Sequence, residues 1–202
     1  ENSAIHVSAR NIGLANFQLG HVGRGMQMAG VGDEAANLAI GSVLPGGLDG
    51  NVTVDKGGLH VYSAPADTRR LGGINISAGS IVFSGTDANP FNIGSAANAT
   101  TDETADPIIL RANDILFSGT GHFLSGTSVG AAEGADIRIF VERSLAVAGV
   151  PASSAGGGIG ESIIINALTE AGTTGNAGLL SITGVNADVS IDNGSLGSTS
   201  YG

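Results

Sequence analysis

At 202 residues, with 18 acidic and 8 basic side chains, the chain carries a formal charge of −10, which argues against nucleic acid because phosphate binding needs clustered cations. Glycine supplies 34 residues and charged side chains only 13%, yet 42% of the chain is apolar, too much for intrinsic disorder, and glycine lacks the three-residue period of collagen. No apolar run approaches the roughly 18 residues of a membrane-spanning helix, so the composition favours many short strands joined by tight turns.

Two short strands of alternating apolar residues recur with their starts seven residues apart. In chain order, Ile5 and Val7 are followed by Ile12 and Leu14, Val52 and Val54 by Leu59 and Val61, Ile74 and Ile76 by Ile81 and Phe83, and Ile108 and Leu110 by Ile115 and Phe117. A fifth copy, Ile137 and Ile139 then Leu145 and Val147, stretches the spacing to eight, and Leu180, Ile182, Val189 and Ile191 form a looser sixth. The inward alternation extends to Ala9, Ala78, Ala112 or Val141, because side chains two apart share one face of a strand. Asn11, Ser80, Asn113 and Asp114 fall at the corner between the paired strands, where small polar residues bond the local backbone.

Residues 20–32, 85–106 and 119–134 separate the copies as glycine-rich loops of variable length, so that first strands start 22, 34 and 29 residues apart through the middle. Helical periodicity is missing from every segment, and little helix is expected. The pattern predicts an all-β chain, a right-handed parallel β-helix with glycine-rich loop insertions, forming one domain over residues 1–202. Stacking at about 4.8 Å would pile each inward side chain on its equivalent, and roughly seven or eight coils would make a rod about 35 Å long.

Residues 174–202 read TGNAGLLSITGVNADVSIDNGSLGSTSYG, in which Gly175, Asn176, Ala177 and Gly178 precede an alternating strand, a corner, a second strand through Val189 and Ile191, and then Asp192, Asn193, Gly194 and Ser195. This phrase, together with GGINISAGSIVFSG over residues 72–85, resembles the repeats of filamentous-haemagglutinin-like proteins, which bacteria secrete by the two-partner pathway. The resemblance implies a right-handed β-helical exoprotein, exported through an outer-membrane partner and used in adhesion, surface coating or toxin delivery. The chain departs from the family pattern in lacking the N-terminal secretion domain and any recognisable signal peptide, so it is expected to be a fragment or processed part of a longer repetitive exoprotein.

Parallel β-helices also carry carbohydrate-active enzymes, which need two acids facing one groove, or a base beside a calcium or arginine site. The candidates are Asp114, Asp136, Asp188 and Asp192, with Arg111 and Arg138 near strands, but none forms a paired-aspartate phrase, and corner roles are the expectation. Asp102, Glu103 and Asp106 form an acidic segment without calcium-loop spacing and read as a solvated loop. His6, His21, His60 and His122 stand singly without metal-ligand spacing and are expected at the surface. Gly156, Gly157, Gly158 and Gly160 look like a phosphate-cradling loop, yet Ile163, Ile164 and Ile165 follow as a strand where a helix would be required. Sequons stand at Asn51, Asn75, Asn98 and Asn193, with Asn75 pointing out of a strand.

The expectation is therefore a non-enzymatic structural or adhesive protein, secreted or at the cell surface, with no catalytic, cofactor or metal site. Its partners would be cell-surface or matrix components, carbohydrate among them, an outer-membrane secretion partner, and no nucleic acid. A subunit stacking end to end into filaments is the alternative, and a carbohydrate-active β-helix enzyme the weaker one.

Overall fold

A computed structural model describes residues 4–15, 18–19, 37–41, 48–62, 73–97, 107–127, 134–151, 163–169 and 176–200. Alternating β-branched and polar side chains suit a pleated strand, and strands are the only regular structure among these residues. They are β1 (Ala4–Ser8), β2 (Asn11–Ala15), β3 (Gln18–Leu19), β4 (Asn37–Gly41), β5 (Asn51–Asp55), β6 (Gly58–Tyr62), β7 (Ile74–Ser84) and β8 (Phe91–Ala97). The chain continues with β9 (Ile108–Gly119), β10 (Gly121–Thr127), β11 (Ile137–Gly149), β12 (Ile163–Thr169), β13 (Leu180–Thr183), β14 (Asp188–Asp192) and β15 (Gly194–Ser200).

These strands form two open sheets of parallel strands. A nine-stranded sheet runs in the order β1-β4-β7-β9-β11-β13, with β2 on β5, β5 on β7 and β14 on β11; a six-stranded sheet runs β15-β12-β10-β8-β6-β3. The chain visits the two sheets in turn. From β7 it crosses to β8, returns to β9 beside β7, crosses to β10 beside β8, and continues in the same way through β11 and β12. One such circuit is a rung, and among the described residues each sheet path counts six strands.

Register explains the seven-residue phrase. Ile74 pairs with Ile108 and that with Ile137, while Ile81 pairs with Ile115 and that with Leu145, so both halves of the phrase lie in one long strand per rung. The stretch to eight in the fifth copy is a register shift between Val141 and Ser144, a bulge that absorbs the extra residue. Val52 and Val54 were expected to open the second copy. In fact β5 pairs with the second half of β7, its first-strand counterpart is β4, and Leu59 belongs to the six-stranded sheet. The residue intervals coincide because the hop from β5 to β6 also spans seven positions, Val52 to Leu59.

The segments 85–106 and 119–134 are likewise not loops throughout, since β8 and β10 lie within them. Ala78, Ala112 and Val141 are buried as the alternation requires, whereas Ala9 is exposed, beyond the end of β1. Lys56, Gly119 and Asn193 each follow a residue of one register-matched column, Asp55, Ser118 and Asp192, and each adopts positive φ. That recurring left-handed turn sends the chain from one sheet to the other.

The core lies between the sheets. Phe83 and Phe117 stack with ring centroids 4.9 Å apart, and Phe91 from the other sheet meets them at 5.8 and 6.1 Å. Phe91 fits because its register partner is Gly121, where an added Cβ would lie 2.3 Å from the ring. Burying each such ring is worth about 1.5–3 kcal/mol, so this cluster is a substantial apolar joint between the sheets.

Candidate functional site

Residues that alternate out of phase with the core face outward from the nine-stranded sheet. Arg111 stands between Leu110 and Ala112 on β9, and Phe140 between Ile139 and Val141 on β11; the two are paired in register, with Ser77 on one side and Thr183 on the other. The Arg111 guanidinium lies over the Phe140 ring, 4.6 Å from its centroid, a geometry that attracts the cation to the ring face.

Three neighbours turn this column into a groove of about 630 Å³. The bulge in β11 presents Glu142 as an exposed carboxylate along one side. The turn from Thr183 to Asn186, between β13 and β14, forms a second wall, lying so close to the Val141 carbonyl that a Cβ at Gly184 would be 2.6 Å from its oxygen. Leu48 closes the remaining side, tethered by a 3.2 Å hydrogen bond from Asn113 Nδ2 to its carbonyl. Among the described residues Arg111 and Glu142 form no ion pair, with each other or with any other charged group.

The acids singled out from the sequence are not brought together there. Asp114 belongs to a polar column at the corner, running Asn11, Asn51, Ser80, Asp114, Ser144 and Asp188 through successive rungs. It accepts hydrogen bonds from Arg143 and, at 2.8 Å, from Ser144 Oγ. Burial opposes its ionisation, but the hydrogen bonds from Arg143 and Ser144 and the charge of Arg143 outweigh that, and its pKa falls below the ordinary 3.8. Asp136 accepts two bonds from Arg138, at 2.7 and 3.2 Å, and one from the Leu179 amide at 2.8 Å, which ties successive rungs. Asp192 accepts a bond from Asn193 Nδ2 at 2.9 Å. Asp188 faces Ser144 in register.

His60 and His122 are half-buried on β6 and β10, two strands of the six-stranded sheet separated by β8, so they are less exposed than expected. No group of three or more His, Cys, Asp or Glu able to hold a metal occurs among the described residues. Asn51 and Asn75 are exposed on β5 and β7, the former donating to Asn11 Oδ1 at 3.1 Å, and Asn193 is exposed at its turn. Asp102, Glu103, Asp106, His21, Asn98, Gly156, Gly157, Gly158, Gly160 and the side chain of His6 lie outside the described residues.

Sequence reasoning singled out Arg111 but missed Phe140, Glu142 and the Thr183–Asn186 turn. One signal was present: Phe140 is a large aromatic at an outward position, where alternation calls for a polar residue. No family model, no curated protein and no solved structure matches this chain.

Proposed function

We propose that the chain is a structural and adhesive rod, a right-handed parallel β-helix that is secreted or held at a cell surface and has no catalytic role. The main support is the register shared by the two sheets. Ile74, Ile108 and Ile137 pair through successive rungs of one sheet, while Ile93, Phe123 and Ile165 do the same in the other. A chain built this way grows by adding rungs, which gives reach and a long repeated surface. Asp114 and Asp136 fit the same reading, since their oxygens are engaged in ties between rungs. The partners it implies are cell-surface or matrix components, with an outer-membrane protein for export on the strength of the resemblance.

Brief external proteolysis of intact source cells tests the location. Peptides of this chain should be released without a cytosolic marker, and recovery only after lysis would sink the surface reading. Incubation with a panel of acidic and neutral polysaccharides tests the function: new reducing or unsaturated ends would replace the rod with an enzyme.

A second reading, end-to-end self-association, draws on one observation: the inward-phase residues Val189 and Ile191 of β14 are half-exposed. A sedimentation coefficient that rises with concentration supports it, and a constant one removes it.

A further inference from the structure

We propose that the groove beside Arg111 binds the carboxylated ring of an acidic sugar, a hexuronate unit. This goes beyond the rod reading and stands or falls separately from it. The volume of about 630 Å³ lies within the range usual for small-ligand sites. Among the described arginines and lysines, Arg111 and Arg10 lack a carboxylate partner, and Arg111 lies over an aromatic ring. Lys56 lies 3.7 Å from Asp55, Arg138 2.7 Å from Asp136, and Arg143 against Asp114, so each spends its charge on a neighbouring carboxylate. Arg111 instead lies on the Phe140 ring, which holds the guanidinium plane while leaving its N–H fork without a carboxylate partner among the described residues. A planar fork fixed in this way matches a carboxylate through two parallel hydrogen bonds.

The other walls select what carries the carboxylate. Leu48 offers an apolar surface to the C–H face of a sugar ring, while Glu142, Thr183 and Asn186 offer an acceptor carboxylate, a hydroxyl and an amide to its hydroxyl groups. Glu142 also argues against multiply charged ligands. A second negative group on the same ring would face its carboxylate, so a single carboxylate is accepted where a sulfated or phosphorylated sugar is repelled.

The purified 202-residue chain, labelled with nitrogen-15, is titrated with glucuronate and galacturonate, and in parallel with glucose, galactose and acetate. The uronates should produce saturable amide shifts confined to residues near 111, 140–142 and 183–186. Arg111→Gln should weaken uronate binding by roughly tenfold or more, the effect of losing a charged hydrogen-bond partner. Arg138→Gln, which removes a cation outside the groove, should leave it unchanged. Arg111 is exposed, so the variant is expected to fold, and an unaltered amide spectrum away from the groove checks this. Absence of groove shifts, equal response to neutral sugars, or undiminished binding by Arg111→Gln overturns the proposal. Acetate reproducing the uronate affinity overturns the saccharide assignment, since a bare carboxylate would then suffice.

Discussion

The strands β7, β9 and β11 in the middle of the nine-stranded sheet and the strands β13 and β14 at its side carry the same apolar phrase with opposite results. In β11, Leu145 is 0% and Val147 1% exposed, yet their register partners in β14, Val189 and Ile191, are 51% and 48% exposed. The side chains are chemically equivalent, so the difference comes from neighbours. β11 has β9 on one side and both β13 and β14 on the other, whereas β14 pairs with β11 alone among the described residues. On this side of the sheet the aliphatic column is buried where a rung lies on each side of it and half-exposed where one side is open, although Ile12 of β2, paired with β5 alone among the described residues, is only 6% exposed.

The largest expected effect tests that grading directly. Phe117→Ala removes a ring stacked on Phe83 and touching the Phe91 cluster, and should cost about 3–5 kcal/mol in urea unfolding. Ile191→Ala, at a site already half in water, should cost about 1 kcal/mol. Equal costs would break the comparison. Hydrogen exchange should rank the strands in the same order, with amides of β9 opening last and those of β14 early.

A smaller effect comes from the glycines of the six-stranded sheet. Gly121→Ala drives a methyl group into the Phe91 ring, where the nearest approach would be 2.3 Å, and should cost about 1–3 kcal/mol. Gly197→Ala in β15 meets only the tip of Asn166 at 3.2 Å and should be close to neutral. Combining Gly121→Ala with Phe91→Leu should recover part of the loss, a non-additivity expected only if the two residues share one space. Additive costs would show that Phe91 does not depend on the missing side chain.

The contrast also accounts for what could be read in advance. In β7, β9 and β11 the phrase was legible because both halves lie in one strand and each half alternates, so period two within a half assigns its inward face. The strands of the other sheet were not, since FNIGSAA and GHFLSGT carry few large apolar residues and several glycines, and only pairing with the next rung defines them. Misphasing at Val52 had a similar origin, an interval of seven that recurs across a different corner. The groove was half legible. Arg111 stood out as a cation near a strand, but its ring and two of its walls come from the next two rungs and the third, Leu48, from an earlier one, and no local pattern encodes that meeting.

The smallest effect lies at the corner column, where Asp114 in the middle and Asp188 in β14 occupy register-equivalent positions on either side of Ser144. Ser144 donates to Asp114, and Arg143 approaches the same carboxylate, so this acid is held in its charged form by both neighbours. Its folded pKa lies below the ordinary 3.8, so its contribution to stability is fully present above that value and disappears as the pH falls through the lowered folded value. With the Arg143 side chain 69% and that of Asp114 34% exposed, screening limits the pair to less than about 1 kcal/mol. Asp114→Asn should therefore flatten the acid limb of the stability profile slightly and leave the plateau within about 1 kcal/mol of the parent. An acid limb left unchanged by Asp114→Asn would show that Arg143 and Ser144 do not hold the charge at this corner.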